Sequence, residues 1–129
     1  MTPEERSTFL ETPRSAVFST VGGLGAVHSV LVWFTWDGES LVVLTERGSV
    51  KHRNVERTGR ATVLVHADVA YVSVEGTVET RNVSPEERRE LWTRYAGPEV
   101  AEEMVTEDTT ARMVALVLHP EHWIAVSAG

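Results

Sequence analysis

Apolar residues recur along this chain at two different spacings, and the switches between them divide it into short elements. Over residues 71–79 they alternate, with Val72, Val74 and Val78 on one side and Tyr71, Ser73, Glu75, Thr77 and Glu79 on the other. That is the period of a strand whose second face meets water or a partner. Comparable runs predict strands over Ala16–Val21, 26–36, 40–45, 61–66 and 112–118, with 122–126 extending the last beyond a bend at Pro120. Gly22-Gly23-Leu24-Gly25 and Asp37-Gly38 predict the turns that join the first three of these. Helices are expected where hydroxyl, proline and glutamate follow in order. Thr2-Pro3-Glu4-Glu5 and Ser84-Pro85-Glu86-Glu87 both read as capping boxes in which the last glutamate reaches back. They open helices over Pro3–Glu11 and from 85 to about 95, and Gly97-Pro98 separates the second from a further helical run near 99–105. Six or seven short strands linked mostly by turns predict an α+β fold, an antiparallel six- to seven-stranded barrel with flanking helices, over a parallel βαβ arrangement. Residues 27–36 are apolar on both faces, with Val30, Val32, Phe34 and Trp36 on one and Leu31 and Trp33 on the other. So small a barrel covers a strand once, so a homodimer interface is expected as the second cover.

At 129 residues and 42% hydrophobic, the chain is expected to be one domain, 1–129, with room for a core but not for a second unit. Zero cysteines exclude disulfides, thiolate nucleophiles and cysteine-ligated metals, and point to a cytoplasmic protein. The opening MTPEERSTFLE is charged, so no signal peptide is expected, and no run approaches the roughly 18 apolar residues of a membrane span. A net charge of -7 argues against nucleic acid as a partner.

That charge is uneven. Residues 45–60, TERGSVKHRNVERTGR, carry five of the twelve basic side chains, including Lys51, the only lysine. A strand ends at Thr45, Gly48 permits a turn, and Ser49 is a good N-cap for a helix beginning near Val50. Helix-start N–H groups and the positive end of the dipole favour an anion. Arg47 can offer a planar two-pronged donor, Lys51 a mobile charge, and Ser49 and Thr45 hydroxyls, so the segment suits a phosphate. Without a fold, the same stretch also reads as a solvated basic face. Other constellations carry less. His119 and His122 form the one close histidine pair and belong to no metal-site pattern. The glycine cluster at 22–25 precedes no helix and is not a dinucleotide fingerprint. Ser84 of the sequon Asn82-Val83-Ser84 is better used as a cap, and Glu75 with Glu79 reads as solvated surface.

The series FLETPRSAVFSTV, VHSVLVWFTWDGESLVVLT, RGSVKHRNVERTGRATVLV and YVSVEGTVE resembles the flavin-type split β-barrel superfamily of pyridoxamine 5'-phosphate oxidase-like proteins. Within it, the chain is most similar to actinobacterial flavin/deazaflavin oxidoreductases, the branch that includes coenzyme F-420-dependent reductases. The order and spacing of the four segments carry the likeness. The resemblance implies a homodimer with cofactor sites at the subunit interface and no membrane or nucleic-acid partner. Ser49 and Lys51 match the family's phosphate-binding Ser-x-Lys, Thr45 precedes it, and Arg47 and Arg53 are neighbours. Val30, Val32 and Trp33 fall on the strand that passes the ring system, and His28 lies where that strand begins, although Val27 replaces the family's proline before it. Thr58-Gly59-Arg60 departs from the usual Asp-Pro-Arg or Asn-Pro-Arg. The tail HPEHWIAVSAG lacks an arginine-rich motif, and the chain is short for an N-terminal extension, so the family's eponymous substrate is not expected. The resemblance implies hydride transfer from reduced coenzyme F-420 to an activated double bond of a small-molecule substrate, with FMN as the alternative cofactor. Alternatives of another class are a non-catalytic carrier of flavin, haem or another tetrapyrrole, with His28 or His66 as axial ligand, or a structural module. Tyr71, Trp92 and Tyr95 are candidate pocket linings, and no catalytic side chain is nominated.

Overall fold

The computed structural model describes residues 1–128. Seven antiparallel strands make one sheet: β1 (Ala16–Val21), β2 (Val27–Val32), β3 (Thr35–Trp36), β4 (Leu41–Glu46), β5 (Arg60–Ala67), β6 (Ala70–Asn82) and β7 (Met113–Val126). Their spatial order is β2-β1-β5-β6-β7-β4-β3, which puts β2 and β3 at opposite ends of the sheet. Only Trp33 and Phe34 separate those two strands along the chain. Three residue steps span at most about 11 Å, so the two edges must curl towards each other. The result is an antiparallel split β-barrel whose seam lies at Trp33 and Phe34.

The inward rows fill this barrel. Phe18, Phe34, Leu41, Val43, Val63, Val65, Val72, Leu116 and Leu118 are wholly buried, and Leu10 of α1 (Pro3–Glu11) joins them. Four further helices flank the sheet: α2 (Val50–Thr58), α3 (Pro85–Ala96), α4 (Pro98–Met104) and α5 (Glu107–Ala111). Among the described residues no helix is long and apolar enough to cross a membrane.

Three local expectations are corrected. The strand expected over 26–36 breaks at the seam, because the Phe34 N–H donates to the Tyr95 hydroxyl on α3 at 3.2 Å. That hydroxyl in turn donates to the Arg14 carbonyl at 2.6 Å. On the face for which a partner is the expected cover, Val27 and Leu31 are 68% and 75% exposed in one protomer. The bend expected at Pro120 is absorbed instead, and β7 runs through it. The register against β6 shifts between Glu75 and Gly76, a bulge at which proline's missing donor is harmless. Finally, Thr2 and Glu5 do form a reciprocal box, but Glu87 does not reach back to Ser84. Its carboxylate is taken by a two-pronged bond from Arg81 at 2.8 and 2.6 Å. Helix α5 was not expected; Thr106 and Thr109 cap it reciprocally, with glutamate rather than proline at the first position and threonine rather than glutamate at the third.

Candidate functional site

Strand β4 delivers the chain to a tight turn in which Gly48 has φ +81°, a conformation glycine adopts without strain. Ser49 then caps α2, its hydroxyl accepting from the His52 N–H at 3.3 Å and sharing a hydrogen bond with the Thr45 hydroxyl at 3.0 Å. The Gly48 N–H donates to Nδ1 of His52 at 2.9 Å, so the imidazole proton sits on Nε2, which faces Glu56 at 3.2 Å. Farther along, buried Asn54 donates to the buried Thr20 hydroxyl at 3.0 Å and pins the helix to β1. The N-terminus of α2 is thus fixed on both flanks.

Beside that terminus opens a cavity of about 480 Å³. Its floor is the outer face of β4 and β7, through Leu44 and Met113. Leu31, Val32 and Trp33 bring the seam to it, α2 contributes Lys51, and α3 contributes Arg88, Leu91 and Trp92. The rings are ordered by one another. Trp33 stacks on Tyr95 with centroids 4.8 Å apart and planes 2° from parallel, and meets Trp92 edge-on at 5.0 Å. Burial pushes the Lys51 ammonium below the usual lysine range, with Glu46 opposing the shift. A partly desolvated cation beside aromatic walls can receive an oxyanion attached to a planar apolar body.

Of the residues expected to bind cofactor, Lys51, Val32 and Trp33 line this cavity. Ser49 and Thr45 build the helix start next to it. Arg47 and Arg53 are exposed, and the Arg47 N–H donates to the Arg112 carbonyl at 2.7 Å. Val30 packs against the barrel core. His28 pairs with Thr20 in the β1–β2 ladder, and its Nδ1 is buried with no partner among the described residues. Trp33, expected within a strand, lies instead in the seam between β2 and β3, where one protomer leaves it partly buried. Trp92 was named as a pocket candidate, whereas Arg88 was missed. Its signal was available, since Arg88, Leu91, Trp92 and Tyr95 fall on one helical stripe.

A family model described as pyridoxamine 5'-phosphate oxidase matches residues 2–127. Among solved structures, a conserved hypothetical protein from Mycobacterium tuberculosis superposes with a TM-score of 0.83 at 23% identity, over 100% of this chain and 92% of that one. An F-420 reductase superposes with a TM-score of 0.78 at 28% identity, over 92% and 94%. The FAD- and heme-binding protein from Mycobacterium smegmatis gives 0.68 at 21%, over 98% and 71%. No curated protein matches the chain.

Proposed function

Because the chain belongs to the pyridoxamine 5'-phosphate oxidase family, which includes oxidoreductases, we propose that it is a single-domain, homodimeric oxidoreductase that uses coenzyme F-420. The observation that carries this reading is the cavity that joins Lys51, at the start of α2, to the aromatic seam of the barrel. Ser49, Lys51 and Thr45 hold the cofactor phosphate, while Arg47 and Arg53 add positive potential from the exposed side of the same segment. Val32 and Trp33 lie against the ring system, and Val30 and His28 support that strand from the core side. When bound, the reduced deazaflavin supplies a hydride to an activated double bond of the substrate. The chain's own part is to bind, orient and exclude water. The likeness to an F-420 reductase supports the deazaflavin over FMN.

A haem or other tetrapyrrole carrier is the second reading, favoured by likeness to a FAD- and heme-binding protein. It is supported less by this cavity, whose lining includes neither His28 nor His66. Calorimetric titration of the apo protein with F-420, FMN and haemin in parallel tests these assignments. Micromolar F-420 binding with weak FMN binding is expected. The reverse order makes FMN the cofactor, and haemin binding alone overturns the oxidoreductase reading.

A further inference from the structure

The cavity contains a second cation that a cofactor phosphate at Lys51 leaves unused. Arg88 is only 7% exposed. Among the described residues, its guanidinium meets no carboxylate within 4.0 Å and is held by neutral hydroxyls of α5. Both contacts use Nη1, to Thr109 and, at 3.4 Å, to Thr110. Nε and Nη2 therefore remain for whatever enters the space that Arg88 lines. Buried arginines are ordinarily paired, because an uncompensated buried charge is expensive. Here burial pushes the guanidinium below its usual range, with no opposing charge among the described residues acting on it.

We propose that Arg88 receives an oxyanion, carboxylate or phosphate, carried by the acceptor substrate, so that the preferred acceptor is a planar apolar molecule with one such group. The reaction assigned to this acceptor rests on the oxidoreductase reading, whereas the anion site itself does not. The planar fork matches either oxyanion bidentately, and the hydroxyls of α5 hold it in place before the ligand arrives. Trp33 and Trp92, set edge-on to each other, provide apolar aromatic walls beside it. A neutral acceptor of the same shape would leave the charge buried and unpaired, which disfavours it by about tenfold or more.

Calorimetry on the apo protein tests this with three probes of one shape: 2-naphthoate, 2-naphthyl phosphate and neutral 2-naphthamide. At least one anionic probe should bind about tenfold or more tightly than the amide, and the better of the two identifies the oxyanion. Arg88→Met should reduce that preference to within about twofold, and Lys51→Ala should keep most of it. Equal affinity of the wild-type protein for all three probes overturns the proposal, and this comparison requires no folded variant. A preference unchanged in Arg88→Met, or abolished only in Lys51→Ala, overturns it too. So does a loss of cofactor affinity in Arg88→Met as large as that in Lys51→Ala. Failure of the oxidoreductase reading has a different signature: neither F-420 nor FMN binds, yet the anionic preference persists.

Discussion

Lys51 and Trp33 show how far single residues could be read. Lys51 stood out as the one lysine in a basic segment of an acidic chain, and the helix start beside it followed from Gly48 and Ser49. Its desolvation has a definite sign. With the folded-state value lowered, the ammonium costs stability at neutral pH, and that cost is relieved as pH rises through the lowered value towards that of the unfolded chain. A bound phosphate favours the cation instead. Cofactor affinity should therefore fall as pH rises, beginning below the usual lysine range, and calorimetry across alkaline pH should show Lys51→Arg removing the decline. Lys51→Ala should weaken cofactor binding by about 1–3 kcal/mol with an unchanged circular dichroism spectrum. Trp33 was harder to place, since its burial depends on the seam. Partly buried and stacked on Tyr95, it owes its position to a helix some 60 residues away in sequence, a contact that strand alternation does not encode.

At the scale of elements, local rules worked wherever the signal was local. The hydroxyl-proline pairs placed α1 and α3, and alternation placed β6. They failed where one element's geometry was set by another. β7 continues through Pro120 because Gly76 opposite accommodates the extra residue, and a Cβ at Gly76 would be driven into the His119 carbonyl. Gly76→Ala should destabilise the protein by roughly 3 kcal/mol or more, measured by urea unfolding. Beside the same bulge, Glu121 accepts from Arg60 and from the Thr77 N–H, each at 3.1 Å, which holds its carboxyl below the usual range. Such a group contributes stability above the ordinary glutamate value and loses it as pH falls through the lowered one. The acid limb of a stability profile should therefore flatten in Glu121→Gln. The effect should be modest, because the group is exposed and screened. Arg88 belongs to this scale too. It stands on the apolar stripe of α3, and its environment was invisible until α5 brought Thr109 and Thr110 against it.

For the whole molecule, the outer face of the sheet matters most. Leu31, Val17, Leu64, Ser73 and Ile124 lie in one cross-strand row over β2, β1, β5, β6 and β7, and Leu31 and Ile124 are 75% and 62% exposed. A row of this kind on an acidic protein suits a copy of the same chain. Sedimentation should show a dimer, and Ile124→Glu should weaken it at least tenfold while leaving the unfolding midpoint of the monomer nearly unchanged, because that side chain lies outside the core. Leu31 also borders the cavity, so the proposed dimer face reaches the proposed cofactor site. The sequence by itself determined most of the strands, the helices α1 to α4, the antiparallel barrel class and the basic helix start, because alternation, capping and turn chemistry act over a few residues. Only the tertiary structure decided that β2 and β3 lie at opposite edges of one curled sheet, that their seam opens onto α3, and that Arg88 sits desolvated there with no counter-ion among the described residues. These depend on contacts between segments from 21 to 77 residues apart, as for Arg88 with Thr109 and Leu41 with Leu118, which the pattern of neighbours along a chain does not record.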